Sequence, residues 1–498
     1  MEMQFDRVPV PYLKKLADGV RTQEETLEVR LPEGMPDIGR VLGAWGQVIV
    51  RGKEWNPDEM TLSCGVMVWV LYTPEDGEQI CSVEAWLPFT MKWDLPETPY
   101  DGKIVASCML KGVDARSTAA RKLLVRAVLC AAAQGLESAQ AQLAVPGELP
   151  ADIRLLTAEY PVTLPRETGE KAFVLEEQLP VSNRPKPEKL VYYTLQPEIT
   201  DQKVMAGKAV FRGIVRLHLL YQGAEQSLCT WDHELPFSQY ADLDGAYSQD
   251  AELQVVPCVT ALDLSLTEDG QLQLKAGILS QYLLSDRSVL AVAEDAYSPV
   301  RKLEPAFEPL KLPALLDRVS NVFRIESTAQ AEARQVVDVT AYPACSYTAK
   351  GESGLEISLP GQFQMLYYDM AGQLRSMLIP WEERWSIAGS EDNTADIRIS
   401  AVSAPQVLPG AGSVTLRADM TAAASVSAGQ GLTMLVGMDM SDAEKPDPNR
   451  PSLILCRKGN RRLWDLAKEN GSTVEAILTA NGPAAEQEEN PVLLIPVV

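Results

Sequence analysis

The most regular feature of the chain is alternation of apolar and polar residues with a period of two, the pattern of a half-buried strand. Val215, Leu217, Leu219 and Tyr221 form one face of such a strand, with Arg216 and His218 on the other. In the run Val66-Met67-Val68-Trp69-Val70-Leu71-Tyr72 both faces are apolar, which predicts a strand covered on both sides. Turn signals recur between such runs, as Asp101-Gly102, Asp269-Gly270 and Pro409-Gly410.

The strand patterns repeat. Val66–Tyr72 has a counterpart at Val215–Tyr221 and a third, shorter one at Phe363-Gln364-Met365-Leu366-Tyr367. The first two copies continue to Leu87-Pro88-Phe89 and Leu235-Pro236-Phe237, while the third has Trp381 and Trp385 in that region. Leu31-Pro32 and Leu179-Pro180 mark the first two copies upstream. Val125-Arg126-Ala127, Leu274-Lys275-Ala276 and Leu416-Arg417-Ala418 mark all three downstream, and the first two copies are offset by 149 residues. Agreement at so many separated anchors predicts a threefold domain repeat.

The repeat decides one local conflict. Residues 117–133 are rich in Ala, Leu and Arg and would be helical by propensity alone. Their counterparts alternate, with Leu272, Leu274, Ala276 and Ile278 apolar against Gln271, Gln273 and Lys275. The region around Leu123–Leu129 is therefore expected to be a strand.

Proline clusters suggest the boundaries: Asn183-Arg184-Pro185-Lys186-Pro187, Pro299–Pro313 and Asp442–Pro451. The expected architecture is mainly β: three tandem β-sandwich-like repeats at 1–169, 170–312 and 313–441. A proline-rich linker at 442–451 then leads to a small βααβ module at 452–498, which the stiff linker is expected to hold at a distance.

In that module, a short strand (Leu453-Ile454-Leu455-Cys456) precedes Gly459 and a helical run, Leu463-Trp464-Asp465-Leu466-Ala467-Lys468-Glu469-Asn470. Gly471 stops this helix, and Ser472-Thr473-Val474-Glu475 reads as a capping box for a second one. Asn481-Gly482-Pro483 ends it, and residues 492–498 form a closing strand.

The balance of 68 acidic against 45 basic residues, net charge −23, disfavours partners that are polyanions, nucleic acid and anionic membrane among them. No segment approaches the ~20 apolar residues a membrane span requires, and the N-terminal residues lack a signal-peptide core. The eight cysteines include no Cys-x-x-Cys pair and sit mostly in apolar runs, so buried reduced thiols are expected. The two histidines, His218 and His233, have no triad or metal-ligand neighbours in sequence and are read as structural. Asp242–Gly245 does not hold the register of a calcium loop. No phosphate loop, metalloprotease motif or nucleophile elbow occurs. The expectation is a protein without catalytic residues, metal or cofactor.

Two resemblances add to this reading. The C-terminal pattern Gly459…Leu463-Trp464-Asp465-Leu466-Ala467, Ser472…Ile477…Asn481 and Leu494-Ile495-Pro496 resembles a LysM domain. That resemblance implies a shallow groove for N-acetylglucosamine-containing glycans, formed by Gly459, Asn460, Arg461, Arg462 and Leu463 opposite Asn481, Gly482 and Pro483, with Trp464 in support. The first loop departs from the family pattern by one extra residue and by lacking a hydroxyl cap. Arg457, Lys458, Arg461 and Arg462 crowd it, and Glu486, Glu488 and Glu489 crowd the other, a charge split that suits a protein partner.

The repeats, through Leu31-Pro32, Pro36-Asp37-Ile38, the Leu-Tyr anchors and the Leu-Pro-Phe marks, are similar to SPOCS domains of spore-coat proteins. Repeats followed by LysM imply a scaffold of spore-coat assembly, working in the mother-cell cytoplasm at the forespore surface. Its implied partner is a coat morphogenetic ATPase. The alternative is a peptidoglycan-binding cell-wall protein.

Overall fold

The computed structural model describes residues 2–75, 77, 79–98, 101–179, 185–268, 270–351, 354–390, 392–442, 450–482, 485 and 492–498. The protein is mainly β. A short strand β1 (Glu2–Gln4) precedes β2 (Asp6–Arg30), β3 (Ile38–Trp55), β4 (Glu59–Pro74), β5 (Cys81–Asp94), β6 (Gly102–Ala119) and β7 (Lys122–Val145). These last six form two antiparallel sheets, β2-β7-β6 and β3-β4-β5. The next six strands are β8 (Arg154–Leu179), β9 (Lys189–Met205), β10 (Lys208–Gln222), β11 (Leu228–Asp242), β12 (Glu252–Leu266) and β13 (Leu272–Tyr297). Their sheets have the same order, β8-β13-β12 and β9-β10-β11.

A third set follows: β14 (Leu303–Gln330), β15 (Ala333–Pro343), β16 (Tyr347–Gly351), β17 (Gly354–Asp369), β18 (Leu374–Ala388), β19 (Thr394–Val402), β20 (Gln406–Pro409) and β21 (Ser413–Met440). Here two strands are interrupted. β15 and β16 pair with successive parts of β17, and β19 and β20 with successive parts of β21. The first, second and third sets are called units one, two and three below.

The strand expected at Leu123–Leu129 is present within β7, against local helix propensity. Its alternate residues Leu123, Val125, Ala127 and Leu129 are fully buried in the core of unit one, facing Val66, Val68 and Leu87. Burial of one continuous face outweighs propensities worth tenths of a kcal/mol per residue.

Of the proline clusters expected as boundaries, Pro299–Pro313 runs mostly within the strand β14, while residues 185–187 are in no strand and 183, 184 and 443–449 lie outside the described residues. Prolines recur in three edge strands. Pro9 and Pro11 lie in β2, Pro161 and Pro165 in β8, and Pro305, Pro309 and Pro313 in β14. Each of these strands pairs with one neighbour only. An edge strand tolerates proline where the missing N–H would face away from its partner. Spacings of two and four keep all the prolines of a strand on that side.

Each edge strand carries one bulge residue, Leu16, Arg166 or Leu316, at 150-residue intervals. At the bulge each three-stranded sheet narrows to a two-stranded ribbon, and the three ribbons pack on one another. Val10, Leu143, Val162, Leu164, Leu290, Leu310, Leu312 and Met434 form this shared core. β1 pairs with the end of β21, joining the start of the chain to the third ribbon. The expected limits 169/170 and 312/313 thus fall inside the continuous strands β8 and β14.

Another recurrence is a glycine beneath an aromatic ring. A methyl group at Gly65, Gly213 or Gly361 would run into Trp86, Phe237 or Trp381 respectively, each on the adjacent strand. Only a residue without Cβ lets the ring lie flat there.

The C-terminal segment comprises β22 (Leu453–Arg457), α1 (Leu463–Asn470), α2 (Val474–Asn481) and β23 (Val492–Pro496), with β22 and β23 antiparallel. Among the described residues no helix is long and apolar enough to cross a membrane.

Candidate functional site

The local signals of the C-terminal segment explain how its loops are held. α1 begins at Arg462 without a hydroxyl cap, and the carboxylate of Asp465 takes that place. It accepts the Arg462 backbone N–H at 3.3 Å and the guanidinium at 3.0 and 3.1 Å, which holds its carboxyl below the usual range. Gly471 ends α1 in the left-handed region with φ 59°. The cap of α2 is Thr473, whose hydroxyl accepts the Ala476 N–H at 3.1 Å. Ser472, the expected cap, instead donates to the Pro496 carbonyl on β23.

The expected groove residues divide into distinct roles. Gly459 makes the tight turn, with φ 56°. Arg461 is tied back onto its own segment: to the Arg457 carbonyl at 2.7 Å, Cys456 Sγ at 3.0 Å and Glu469 at 3.0 Å. Arg462 is engaged by Asp465, although 62% of its side chain remains exposed. Asn460 is exposed. Asn481 pins α2 to β23 by exchanging hydrogen bonds with Leu494, at 2.6 and 2.8 Å, and Gly482 follows with φ 72°. Lys458 Nζ reaches the Ala485 carbonyl at 2.9 Å, so the two loops do meet. Pro483, Glu486, Glu488 and Glu489 lie outside the described residues, as does most of 442–451.

Leu463 and Trp464 are buried and not groove walls. Trp464 donates its indole N–H to Asp295 at 2.9 Å and meets Tyr297 edge-on, with ring centroids 4.7 Å apart. Lys468 pairs with the same Asp295 at 2.7 Å, and the Tyr297 hydroxyl donates to the Ser472 carbonyl at 3.0 Å. Asp295 and Tyr297 belong to β13, just beyond a bulge that re-aims the strand. The segment is therefore docked on unit two, contrary to the expectation that a stiff linker holds it away. Burial of a ~150 Å² aromatic side chain favours the docked segment over a detached one. The outer face of the paired strands β22 and β23 leaves Leu453, Leu455 and Val492 exposed at 51%, 70% and 56%.

A second polar site was not singled out from sequence. His218 stands between Asp232, at 2.7 Å from Nδ1, and Asp338, at 3.1 Å from Nε2. Asp338 lies on β15 of unit three, is 7% exposed, and also receives the Tyr192 hydroxyl. Burial pushes its carboxyl up to about 7. His218 thus bridges units two and three through its partners. The available signal was Asp338 itself, a lone carboxylate in Val336-Val337-Asp338-Val339. No serine or cysteine stands against the imidazole in these contacts, and no group of described residues has metal-ligand geometry.

Beside this cluster all three units line an open cavity of about 680 Å³, with Gln47, Cys108, Gln202, Gln254, Arg318 and Arg398 among its walls. Burial lowers the pKa of Arg318, which donates to the Leu253 carbonyl at 2.8 Å. Arg398 bonds Asp396 at 2.9 Å and Ser107 at 3.2 Å.

A family described as SipL, SPOCS domain, matches residues 186–267. The matched stretch contains β9 to β12, and with them His218 and Asp232. It points to a sporulation-related role. No curated protein and no solved structure matches the chain.

Proposed function

We propose that this protein is a non-enzymatic scaffold of spore-coat assembly, with three SPOCS-like β-sandwich units and a LysM-like C-terminal recognition module. The observation that carries the reading is the SPOCS match, whose limits coincide with four consecutive strands of unit two. The same strand order in unit one, and its interrupted form in unit three, support extending it along the chain. The strand–helix–helix–strand order of residues 453–496 supports the LysM-like assignment.

On this reading the protein works in the mother-cell cytoplasm at the forespore surface and recruits a coat morphogenetic ATPase. The recognition surface is the basic loop Arg457–Arg462 with the exposed apolar face of the β22–β23 pair beside it. A basic, partly apolar patch on a chain of net charge −23 selects an acidic, amphipathic protein surface. Replacing Arg461 and Arg462 together by alanine is expected to reduce recovery of the ATPase in a pull-down at least tenfold. Because both side chains also brace their own loop, hydrogen exchange must first show α1 and α2 as protected as in the parent chain. Undiminished recovery at low and moderate salt, with the segment docked, rejects this surface.

The meeting of the two loops at Lys458 and Ala485 supports a second reading, a peptidoglycan-binding groove. Saturable co-sedimentation with purified sacculi is the outcome that favours it.

A further inference from the structure

All eight cysteines are free thiols, yet four of them lie next to another cysteine, one pair in contact through its sulfurs and one through a backbone N–H and a sulfur. Cys64 and Cys108 have their sulfurs 3.8 Å apart inside unit one. The other pair joins two units. Cys130 lies on β7 of unit one, and Cys345 lies in the interruption between β15 and β16 of unit three. The Cys345 backbone N–H donates to Cys130 Sγ at 2.9 Å, across 215 residues of sequence. The Cys130 sulfur is thus held directly against the Cys345 main chain. Both residues are buried, at 0% and 5% exposure, in a small cluster with Ala344, Val20 and Met109.

We propose that Cys130 and Cys345 are a disulfide-forming pair whose oxidation staples unit one to unit three. A reactive pair needs an attacking thiolate and a resolving thiol within reach. Hydrogen bonding from Cys345 holds the Cys130 thiol below its ordinary range. The neighbouring Cys130 side chain, together with burial, holds the Cys345 thiol well above it. The two sulfurs are thus unequal in the sense the reaction requires.

With hydrogen peroxide as oxidant, the Cys130 thiolate takes one peroxide oxygen, and hydroxide leaves. The Cys345 sulfur attacks the resulting sulfenic acid, the S–S bond forms, and the second oxygen leaves as hydroxide. The two thiol protons convert both hydroxides to water, so two thiols and one peroxide become one disulfide and two waters. Peroxide is of water size, and the inter-unit cavity brings it close: Met109 lines that cavity and also packs against Cys130.

The test uses the reduced full-length chain, treated with hydrogen peroxide, alkylated after denaturation and mapped by peptide mass spectrometry. A linked peptide containing Cys130 and Cys345 is expected, reversed by a phosphine reductant and retained in Cys81→Ser. It should be absent in Cys345→Ser. The parent chain alone decides the matter even where that variant folds poorly. The proposal fails when both cysteines are recovered as alkylated thiols at a peroxide dose that oxidises Met370, which is 66% exposed. It fails equally when Cys64–Cys108 is the linkage recovered, or when Cys130 goes on to sulfinic acid without linking to Cys345.

Discussion

His218 illustrates how a residue read as structural acquires a defined environment. Its strand neighbours are Leu217 and Leu219, and the acids that hold it come from β11 and from a different unit. Asp338 is the costly member of this cluster, because its folded carboxyl titrates at about 7 against an ordinary 3.8. A raised carboxyl means that the folded protein keeps a proton the unfolded chain has lost. Between about pH 4 and pH 7 this group therefore subtracts stability as pH rises, at up to ~1.4 kcal/mol per unit. Asp338→Asn keeps an acceptor for Tyr192 and His218 without the titration. Urea unfolding across that range is expected to show a shallower fall for the variant. Parallel pH profiles for the two chains would show that the buried carboxyl does not titrate there.

At the scale of elements, period-two alternation predicted the strands, including β7 where propensity pointed to helix. Proline was misleading because its meaning depends on neighbours: in β14 it lies along an unpaired edge, which local sequence does not distinguish from a spacer. The C-terminal segment was legible as strand–helix–helix–strand, and the role of Gly471 as the stop of α1 followed from its position in the pattern. Trp464 was expected in support of the groove, but its partners in β13 were not legible. Its docking on Asp295 and Tyr297 depends on a bulge in β13, 169 residues away for the hydrogen bond to Asp295. Trp464→Ala should cost about 3–5 kcal/mol of local stability. In hydrogen exchange, α1 and α2 of the variant are then expected to lose protection while β3 to β5 keep theirs. Unchanged protection in the helices would mean that the segment stands without this anchor.

Across the whole molecule, the units share cores instead of following one another as beads. The face of β4 turned away from its own core carries Trp69, which packs on Tyr193 with centroids 4.7 Å apart. Trp45 on β3 stacks on Tyr192 at 5.0 Å. Buried glutamines tie backbones across the same junctions. Gln47 accepts the Leu195 N–H at 2.7 Å, Gln281 both accepts from and donates to Ala106, and Gln364 donates to the Ala44 carbonyl at 2.9 Å. Such sharing predicts that units one and two unfold together. Trp45→Ala, at about 3–5 kcal/mol, is expected to split one calorimetric transition into two. A single transition merely moved to lower temperature would place the coupling elsewhere.

The sequence by itself determined the strands, their approximate recurrence, the turns of the C-terminal segment and the acidic field of the chain. These are local or compositional properties: a face is apolar, a glycine admits positive φ, and charges add. Only the tertiary structure decided what meets what. Alternation shows that a face is buried but not what buries it. Hence Asp338 beside His218, Trp464 on Tyr297 and Cys130 against Cys345 all arise from surfaces that come together after the strands have formed.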